Sequence, residues 1–235
     1  MRKSLVIFDV DGTLTRTLRV DADCFTRAFT KEFGISGINT DWGSYDNYTD
    51  SGIASQIFRE KLGHSPTPEE NARLVDRFIA LLQEEAAAEP EFFQEVPGAA
   101  ALLERLREER DWRPALATGC WLPSALFKLE KAGISGEKIP LASADDSPIR
   151  EEIVRLAIAR SRRLYQTDRF ERVVYVGDGV WDVKMSSELE IAFIGVADEE
   201  KRKLLRAAGA AHFLTDFRDY SSFLRELSRA TVPGK

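Results

Sequence analysis

The sequence predicts an α/β protein in which a parallel sheet is covered by helices on both faces and interrupted by one all-helical insertion. Two observations support this fold class. From residue 97 onward, short runs that are apolar nearly throughout alternate with helical patterns, which is typical of a buried parallel sheet. Before that region, a first strand over residues 5–8 is followed by helical patterns alone. We therefore expect an α/β core and a helical subdomain.

Three helical patterns fill the insertion. Residues 21–33 and 51–62 each carry a stripe of apolar side chains at helical spacing. Residues 67–88 open with Thr67 as a hydroxyl cap, Pro68 in the first turn and two glutamates, and then place apolar residues at helical spacing. An all-helical block of this length directly after a first strand indicates a subdomain of its own.

Strands and helices alternate through the rest of the chain, and each strand run is short and apolar. The expected elements are a helix over residues 98–110, a strand over 114–119, a helix over 122–132, a strand over 138–143, a helix over 148–163, a strand over 172–178, a helix over 182–189, a strand over 191–196, a helix over 199–208, a short run over 212–217 and a closing helix around 223–227. In open parallel sheets, ligands bind at the carboxyl ends of the strands. We therefore expect the chemically active side chains directly after the strands.

Four groups of polar residues stand where strands end. The most specific is the run DVDGT, in which two aspartates and a glycine directly follow a buried strand, where an unpaired carboxylate is costly. The other three follow the second strand, open the helix after the third strand, and follow the fourth strand. Together the groups contain Asp9, Asp11, Thr118, Gly119, Arg150, Asp178 and Asp182.

Carboxylates that converge at one edge of a sheet repel one another, and a hard divalent cation relieves that repulsion. All-oxygen ligation without histidine or cysteine favours Mg²⁺. The expected metal ligands are Asp9, Asp11, Asp178 and Asp182. Asp9 would attack phosphorus, and Asp11 would protonate the leaving oxygen and then activate water. Thr118 and backbone N–H groups would bind the phosphoryl oxygens, whose charge Arg150 would offset.

The overall composition argues against several classes of function. The 235-residue chain is 43% hydrophobic and 31% charged, with a formal net charge of −6, which disfavours a broad nucleic-acid or anionic-membrane surface. No apolar run approaches the roughly 20 residues that span a bilayer, and we expect no signal peptide. The two cysteines lack metal-site spacing, so we expect a reducing, cytoplasmic location.

Three motifs of the chain resemble those of the haloacid dehalogenase-like superfamily of hydrolases. DVDGT matches the first motif of that superfamily, LATG matches its second and VVYVGDGVWD its fourth. The resemblance implies a Rossmann-like core over residues 1–17 and 93–235, with the first strand in a central position. It also implies that residues 18–92 form a mobile α-helical cap.

The resemblance further implies a role for each matching residue. Asp9 would be the nucleophile and a Mg²⁺ ligand, and Asp11 the general acid and base, whose backbone carbonyl also binds the metal. The residues expected to bind phosphate are Thr118 and Gly119, and those expected to hold the metal or its waters are Asp178 and Asp182.

One departure concerns the third motif, which usually supplies a lysine at the start of a helix. The corresponding run DDSPIREE has none, and Arg150 is the best substitute, with Arg155 and Lys128 as weaker candidates. A planar guanidinium differs from a compact ammonium in reach and geometry. We therefore expect the reach and geometry of Arg150 to differ from those of the usual lysine.

Phosphomonoester hydrolysis is the reaction that the resemblance favours. Dehalogenases and phosphonatases of this superfamily lack the second aspartate, so Asp11 argues against both. Two alternatives stay open, a β-phosphoglucomutase-like sugar-phosphate mutase and a non-enzymatic phospho-acceptor similar to receiver domains. A receiver would leave Asp11 and the large cap unexplained.

Substrate selection is expected in the cap. The loop YDNYTDSG offers Thr49, Asp50 and Ser51 as substrate contacts, with capping of the next helix as the alternative role for each. Trp121 and Trp181 are candidates for the walls of the cleft, with a packing role as the alternative. The expected partner is a small phosphorylated metabolite such as phosphoglycolate, a sugar phosphate or a nucleotide. We expect no nucleic-acid or membrane partner, and a monomer by default with a dimer as the alternative.

Overall fold

In the computed structural model, which describes residues 3–234, a six-stranded parallel sheet forms the centre of the protein. Its strands are β1 (Ser4–Phe8), β2 (Trp112–Ala117), β3 (Leu141–Ala142), β4 (Val173–Gly177), β5 (Ala192–Val196) and β6 (Phe213–Leu214). Their order across the sheet is β3-β2-β1-β4-β5-β6, and every pairing is parallel. The direction of winding reverses at β1, so β1 lies between the two halves of the sheet. The predicted Rossmann-like α/β fold class is confirmed.

Helices connect the strands and fill the insertion. They are α1 (Leu18–Phe33), α2 (Asp50–Leu62), α3 (Pro68–Ala88), α4 (Ala99–Glu108), α5 (Leu122–Lys131), α6 (Arg150–Leu164), α7 (Val180–Glu188), α8 (Glu199–Ala207) and α9 (Tyr220–Arg229). Short 3₁₀ helices cover Trp42–Ser44 and Pro90–Phe93. Within residues 3–234, no helix combines the length and the apolar character that a membrane span requires.

The predicted elements occur in the expected order, and the differences lie at their ends. The start of α3 follows the prediction, because the Thr67 hydroxyl accepts from the Glu70 N–H and the Glu70 carboxylate accepts from the Thr67 N–H. Helix α6 begins at Arg150, two residues later than expected. The residue before it, Ile149, is extended, and its N–H donates to the Ser147 hydroxyl at 3.1 Å instead of entering the helix. Strands β3 and β6 have two residues each, because each lies at an edge of the sheet with one neighbour.

The helical insertion has a hydrophobic core of its own. Helices α1 and α3 pack against each other, and an aromatic cluster that includes Phe25, Phe58 and Phe78 fills the space between α1, α2 and α3. Two residues that follow strands of the sheet, Trp121 and Ala144, join this cluster. The sheet has separate apolar clusters on its two faces, as expected for strands buried on both sides. The expected boundaries of the two subdomains stay a prediction.

Gly98, at the start of α4, offers a test of this packing. Its φ is +88°, and a Cβ there would lie 2.7 Å from the backbone carbonyl carbon of Phe217. Gly98→Ala should therefore lower the free energy of unfolding by about 3 kcal/mol, from backbone strain plus a clash that a side chain cannot relieve. Chemical denaturation measures this loss.

The matched control is Gly63→Ala, at the end of α2. Gly63 has a similar φ of +80°, but a Cβ there meets nothing within 4 Å. This variant should lose only about 1 kcal/mol, the cost of the left-handed conformation for an L-residue. Equal losses in the two variants would contradict the close approach of the α4 start to the Phe217 backbone.

Candidate active site

The register of the sheet brings three of the predicted motifs to one edge. Asp9, Thr118 and Asp178 directly follow β1, β2 and β4, and β1 pairs with both of the other strands. The Asp9 N–H donates to the carbonyl of Val176 at 3.0 Å, which continues the ladder past the end of β1. All three side chains are buried. The carboxyl edge of the central strands therefore carries a buried polar cluster.

Arg150 joins two of the aspartates in this cluster. Its Nη2 lies 2.9 Å from Asp9 Oδ2 and 2.8 Å from Asp182 Oδ1, and its Nε donates to the same Asp182 oxygen at 3.0 Å. The other Asp182 oxygen accepts from the N–H groups of Asp178 and Gly179 at the start of α7. Burial penalises the Arg150 charge, but these carboxylates keep the pKa of the guanidinium well above its usual value. Arg150 therefore holds the first and fourth motifs together.

Of the three cations considered for the third motif, Arg150 is the one that contacts Asp9. Arg155, one turn further along α6, is exposed. Lys128 is fully buried on α5 and contacts Asp11 instead. The planar guanidinium has several N–H donors in fixed directions, so one side chain can bind two carboxylates. An ammonium in that place would hold the two carboxylates in less defined directions.

Asp9, Asp178 and Asp182 form a group that fits a hard divalent cation. One oxygen of each lies within 4.8 Å of the others. Asp178 Oδ1 is buried without a hydrogen-bond partner, whereas its Oδ2 contacts the Lys201 ammonium. Burial raises the pKa of Asp9 to about 7 and that of Asp178 to about 6, and repulsion between the carboxylates adds to both shifts. An all-oxygen donor set with an unsatisfied oxygen is the chemistry that Mg²⁺ takes.

Gly12 lies against this group and leaves room for it. Its φ is +74°, and a Cβ at this position would overlap the Asp178 carboxylate and approach Leu18 to 2.7 Å. Glycine therefore serves the DVDGT turn in two ways, through its left-handed backbone and through the space that it leaves for the fourth motif.

Asp11 lies in a second, separate cluster. Its carboxylate accepts hydrogen bonds from Lys128 Nζ at 2.6 Å, from the Cys120 thiol at 2.6 Å and from the Thr17 hydroxyl. Lys128 Nζ also lies 2.5 Å from Asp21 Oδ1 on α1. Burial alone would raise the pKa of Asp11, but the Lys128 ammonium and these hydrogen bonds hold it below its usual value. Asp9 and Asp11, which are separated by one residue, thus have pKa values that are shifted in opposite directions.

The separation of these clusters bears on the expected metal ligands. The carboxylates of Asp9, Asp178 and Asp182 are together, but that of Asp11 groups with Asp21 and Cys120. The side chain of Asp11 is thus turned to Lys128, and a contribution to the metal would come from its backbone carbonyl, as the resemblance implies. The Cys120 thiol is protonated here, because burial and the Asp11 charge raise its pKa well above the usual value.

The sequence did not lead us to predict that Lys128 and Asp21 pair in this second cluster. Lys128 falls on the apolar stripe of α5, between buried Ala125 and Leu129 and with buried Ser124 one turn before it. A lysine among core positions requires a buried counter-charge, and that is the signal that points to it. Asp21 gave no such signal, because an acidic residue in the first turn of a helix is common.

The phosphate-binding residues expected after β2 lie beside Arg150. The Thr118 hydroxyl accepts from the Cys120 N–H at 3.2 Å, and Thr118 lines the same cavity as Asp9. A Cβ on Gly119 would lie 2.5 Å from Arg150 Nη1 and 2.8 Å from the Tyr48 carbonyl. The Gly119 backbone therefore approaches both the guanidinium and the helical insertion.

The start of α2 docks on the carboxyl edge of the sheet. The Asp50 N–H donates to the Gly119 carbonyl at 2.7 Å, and the Asp50 carboxylate accepts from the Trp121 N–H at 2.9 Å. Thr49 caps α2 by accepting from the Gly52 N–H, and its hydroxyl donates to the Pro148 carbonyl at 2.8 Å. The insertion is thus held against the site by backbone and side-chain hydrogen bonds.

Thr49, Asp50 and Ser51, the expected substrate contacts, have different surroundings. Thr49 and Asp50 line the cavity beside Asp9. Ser51 does not line it, because its hydroxyl donates to the Ala144 carbonyl at 2.7 Å and accepts from Trp121 Nε1 at 2.9 Å. The contacts of Ser51 fasten α2 to the core, and a contact with substrate stays a prediction without structural support.

The cavity beside Asp9 has a volume of about 90 Å³ and lies between the sheet edge and the helical insertion. Of the two tryptophans proposed for its walls, Trp181 lines it and stacks on Tyr48, with ring centres 6.3 Å apart. Trp121 instead packs on Phe25 and Phe78 in the core of the insertion. A substrate would therefore be enclosed by both parts of the chain.

The Lys128 cluster allows a stability test. Lys128→Met removes the charge at similar length and leaves Asp11 and Asp21 buried without a counter-ion, which should lower the free energy of unfolding at neutral pH by about 3–5 kcal/mol. In the unmodified protein, Asp11 has a lowered pKa, so its stabilising charge persists well into acid. In the variant, burial still raises the pKa of Asp11 and the ammonium that lowered it is gone, so Asp11 takes up a proton at a higher pH than in the unmodified protein and avoids the unpaired charge. The deficit should therefore shrink as the pH falls from neutral to about 4.

Denaturant unfolding at the two pH values measures this deficit. The control is Lys131→Met, an exposed position on the same helix, where the change should stay within about 0.5 kcal/mol. A deficit that is the same at neutral and acid pH would show that Lys128 acts by packing and not by charge.

Several solved structures are similar in fold to this chain. A hydrolase from Pseudomonas syringae has a TM-score of 0.69 at 20% identity, over 97% of this chain and 99% of that chain. CbbY from Rhodobacter sphaeroides, in complex with phosphate, has a TM-score of 0.68 at 22% identity, over 97% and 100% of the two chains. A putative β-phosphoglucomutase from Bacteroides vulgatus has a TM-score of 0.65 at 18% identity, over 97% and 90%. At these identities the likeness shows a shared fold.

Comparison with curated proteins gives no significant match. The model of one family, described as haloacid dehalogenase-like hydrolase, matches residues 3–189, a span that contains all the motifs discussed above. The resemblance stated from the motifs is thereby confirmed, and this chain belongs to the haloacid dehalogenase-like hydrolases.

Proposed function

We propose that this hydrolase removes the phosphoryl group from a small phosphorylated metabolite, with Mg²⁺ bound and Asp9 as the nucleophile. One observation carries the proposal. Asp9 lies among the metal-type carboxylates and 2.9 Å from the Arg150 guanidinium, while Asp11 is held apart in a cluster that keeps its charge. The site therefore offers one carboxylate beside the metal group that could attack phosphorus and a second, separate carboxylate that could carry a proton.

Asp9 and Asp178 would hold the metal, together with the backbone carbonyl of Asp11. Asp182 would support it, because both oxygens of Asp182 already bind N–H groups or Arg150. When bound, Mg²⁺ would neutralise the converging carboxylates and the phosphoryl oxygens. Burial of Asp178 Oδ1 without a partner supports this assignment.

In the first chemical step, an Asp9 oxygen forms a bond to phosphorus, and the ester bond between phosphorus and the leaving oxygen breaks. The Thr118 hydroxyl and the Gly119 N–H would bind the phosphoryl oxygens, and Arg150 would offset their charge. Arg150 also orients Asp9, since it binds Asp9 and Asp182 at once. The leaving alkoxide takes a proton from the protonated Asp11 carboxyl group as it departs, which leaves Asp11 ionised for the second step.

In the second step, the oxygen of a water attacks phosphorus, its proton passes to Asp11, and the bond between phosphorus and Asp9 breaks to release inorganic phosphate. The low pKa that Lys128 gives Asp11 favours the charged form that acts as this base. To protonate a basic leaving group in the first step, Asp11 must first take up a proton, which requires its contacts with Lys128 and Cys120 to loosen when substrate binds.

The alternatives make different demands on the site. A sugar-phosphate mutase, the description of one structural neighbour, would need to return the phosphoryl group to a second hydroxyl before water reaches it. A receiver-like acceptor would not need Asp11 or an enclosed cavity. The substrate's chemistry, a cytoplasmic location and a monomeric state stay proposals.

The covalent mechanism is tested with p-nitrophenyl phosphate. The protein should release p-nitrophenol with Mg²⁺ and not with EDTA, and Asp9→Asn should lower kcat by at least about a thousandfold, because the nucleophile is lost. Asp11→Asn should instead give a burst of p-nitrophenol followed by slow turnover, because this leaving group needs no proton but the water still needs a base. Stopped-flow absorbance and intact-protein mass measure the burst and the phosphorylated chain.

The control is Asp168→Asn, an exposed aspartate in the loop before β4, at the opposite edge of the sheet. It should turn over like the unmodified protein. Turnover that survives Asp9→Asn would reject the nucleophile. Isomerisation of a sugar phosphate with little phosphate release would favour the mutase, and slow loss of an acyl phosphate without any ester turnover would favour the receiver.

The metal is tested through the pH dependence of stability. Burial raises the pKa of Asp9 to about 7 and that of Asp178 to about 6. Between the ordinary pKa of aspartate and these values, the folded metal-free protein therefore binds protons that the unfolded chain has already released. Metal-free stability should therefore fall as the pH rises from about 4 to about 7. Mg²⁺ should raise Tm more at about pH 8 than at about pH 5.5, where it competes with these protons.

Asp178→Asn should lose most of the increase in Tm that Mg²⁺ gives at the higher pH, whereas Asp168→Asn should keep it. Thermal unfolding with and without Mg²⁺ measures both. An increase that is independent of pH would argue against a site built on Asp9 and Asp178.

A further inference from the structure

The walls of the cavity beside Asp9 differ in their chemistry. The α/β core supplies the part at which the phosphoryl group is proposed to bind, with Asp9, Thr118, Gly119 and Arg150. The helical insertion supplies a part made of carboxylates, aromatic rings and aliphatic side chains, namely Leu18, Asp21, Phe25, Trp42, Tyr48 and Asp50. The alcohol portion of a substrate would face this second part, because its phosphoryl group is held by the first.

Within residues 3–234, the cavity lining offers the alcohol portion no free cation. Among the described residues that line the cavity, Arg150 is the one with a positive charge, and it is bound to two aspartates. Lys128 lies behind the lining, fully buried, and bridges two other aspartates. Lys184 lies 6.0 Å from the centre of the Tyr48 ring but is exposed and does not line the cavity. A second anionic group on the substrate would therefore have no counter-charge.

Asp50 is a carboxylate that lines the cavity without a cation of its own. Only 9% of its surface is exposed, and it makes no ion pair with any lysine or arginine among residues 3–234. One of its oxygens accepts from the Trp121 N–H at 2.9 Å, which leaves the other for a ligand. Asp21, which also lines the cavity, shares the single charge of Lys128 with Asp11. Burial without a counter-ion raises the pKa of Asp50 well above its usual value, so this part of the cavity holds a carboxyl group that a bound cation would allow to ionise.

Aromatic rings complete this part of the cavity. Tyr48 and Trp181 are stacked at 6.3 Å, and Phe25 meets Trp42 edge-on at 5.7 Å, so aromatic side chains and carboxyl groups line one space. Electron-rich ring faces together with a carboxylate are the arrangement that binds primary amines and quaternary ammonium groups. A carboxylate or phosphate would find no free cation among the described lining residues, whereas an ammonium group would favour the charged form of Asp50.

We infer that the alcohol portion of the substrate carries a compact positive charge, an amine or ammonium group that Asp50 and the aromatic rings bind, so that the protein acts on cationic phosphomonoesters. The inference rests on the proposed phosphatase function and narrows its substrate class. It disfavours phosphoglycolate and bisphosphates, whose second anionic group would meet Asp21 and Asp50 without a counter-charge.

Matched esters that differ in charge but not in shape test the inference. The first pair is phosphoethanolamine and propyl phosphate, and the second is phosphocholine and its carbon isostere, in which a tert-butyl group replaces the trimethylammonium group. Phosphoglycolate supplies the anionic comparison, and p-nitrophenyl phosphate reports phosphatase activity as such. Phosphate release with Mg²⁺ gives kcat/KM for each ester.

In at least one pair, the cationic ester should have a kcat/KM about tenfold or more above that of its neutral isostere, from an ion pair and cation–π contact formed away from bulk water. Phosphoglycolate should be poorer than either neutral ester. The variant Asp50→Asn keeps an oxygen that can accept from the Trp121 N–H, and it should bring the cationic-to-neutral ratio close to one, mainly through KM.

The control is Asp46→Asn, the same change of charge at an exposed position in the loop that leads to α2. It should retain the ratio of the unmodified protein, which separates a local contact from the general field of the chain. If Asp50→Asn does not fold, the matched pairs on the unmodified protein decide the question alone.

The outcomes separate this inference from the proposed function. Turnover of p-nitrophenyl phosphate with no preference for the cation in either pair would overturn the inference and leave the phosphatase function standing. A preference for phosphoglycolate would overturn it as well. If no ester is hydrolysed, the proposed function fails and the inference falls with it.

Discussion

Burial of several carboxylates around few cations is the constraint on which this site depends. Strands β1 and β4 end in buried aspartates, and each unpaired charge there would cost several kcal/mol. Arg150 binds Asp9 and Asp182, and Lys128 binds Asp11 and Asp21, so each buried cation serves two carboxylates. Lys201 contacts one oxygen of Asp178 and leaves Oδ1 buried without a partner, so the three carboxylates of Asp9, Asp178 and Asp182 contact two cations, Arg150 and Lys201. The remaining negative charge makes the edge of the sheet suited to a divalent cation.

The two cations also give Asp9 and Asp11 different electrostatic surroundings. Asp9 and Asp11 are separated by one residue in the DVDGT turn, yet one lies among repelling carboxylates and the other beside an ammonium and a thiol. A reaction that needs a nucleophile and a separate base gains from such a difference, because each group is set to its own proton affinity by its surroundings. Lys128 is the residue that creates the difference, although it touches neither the cavity nor the metal group.

The helical insertion belongs to the site as much as the sheet does. Its helix α1 supplies Asp21 as the second partner of Lys128, and the start of α2 binds the backbone that follows β2. Docking and chemistry are therefore coupled, since movement of the insertion would change the surroundings of Asp11. The same docking places acidic and aromatic side chains opposite Asp9 and Arg150, so under the proposed function the insertion would control which alcohol portion fits the cavity.

The sequence by itself determined the fold class, the order of the elements and the strand ends at which Asp9, Thr118 and Asp178 stand, because apolar runs and turn residues are local signals. It also singled out Arg150. The tertiary structure alone decided that Asp11 turns to Lys128 and that Ser51 fastens α2 instead of lining the cavity. These outcomes depend on which distant side chains share a buried space, and burial of charge is settled between segments that no local pattern relates.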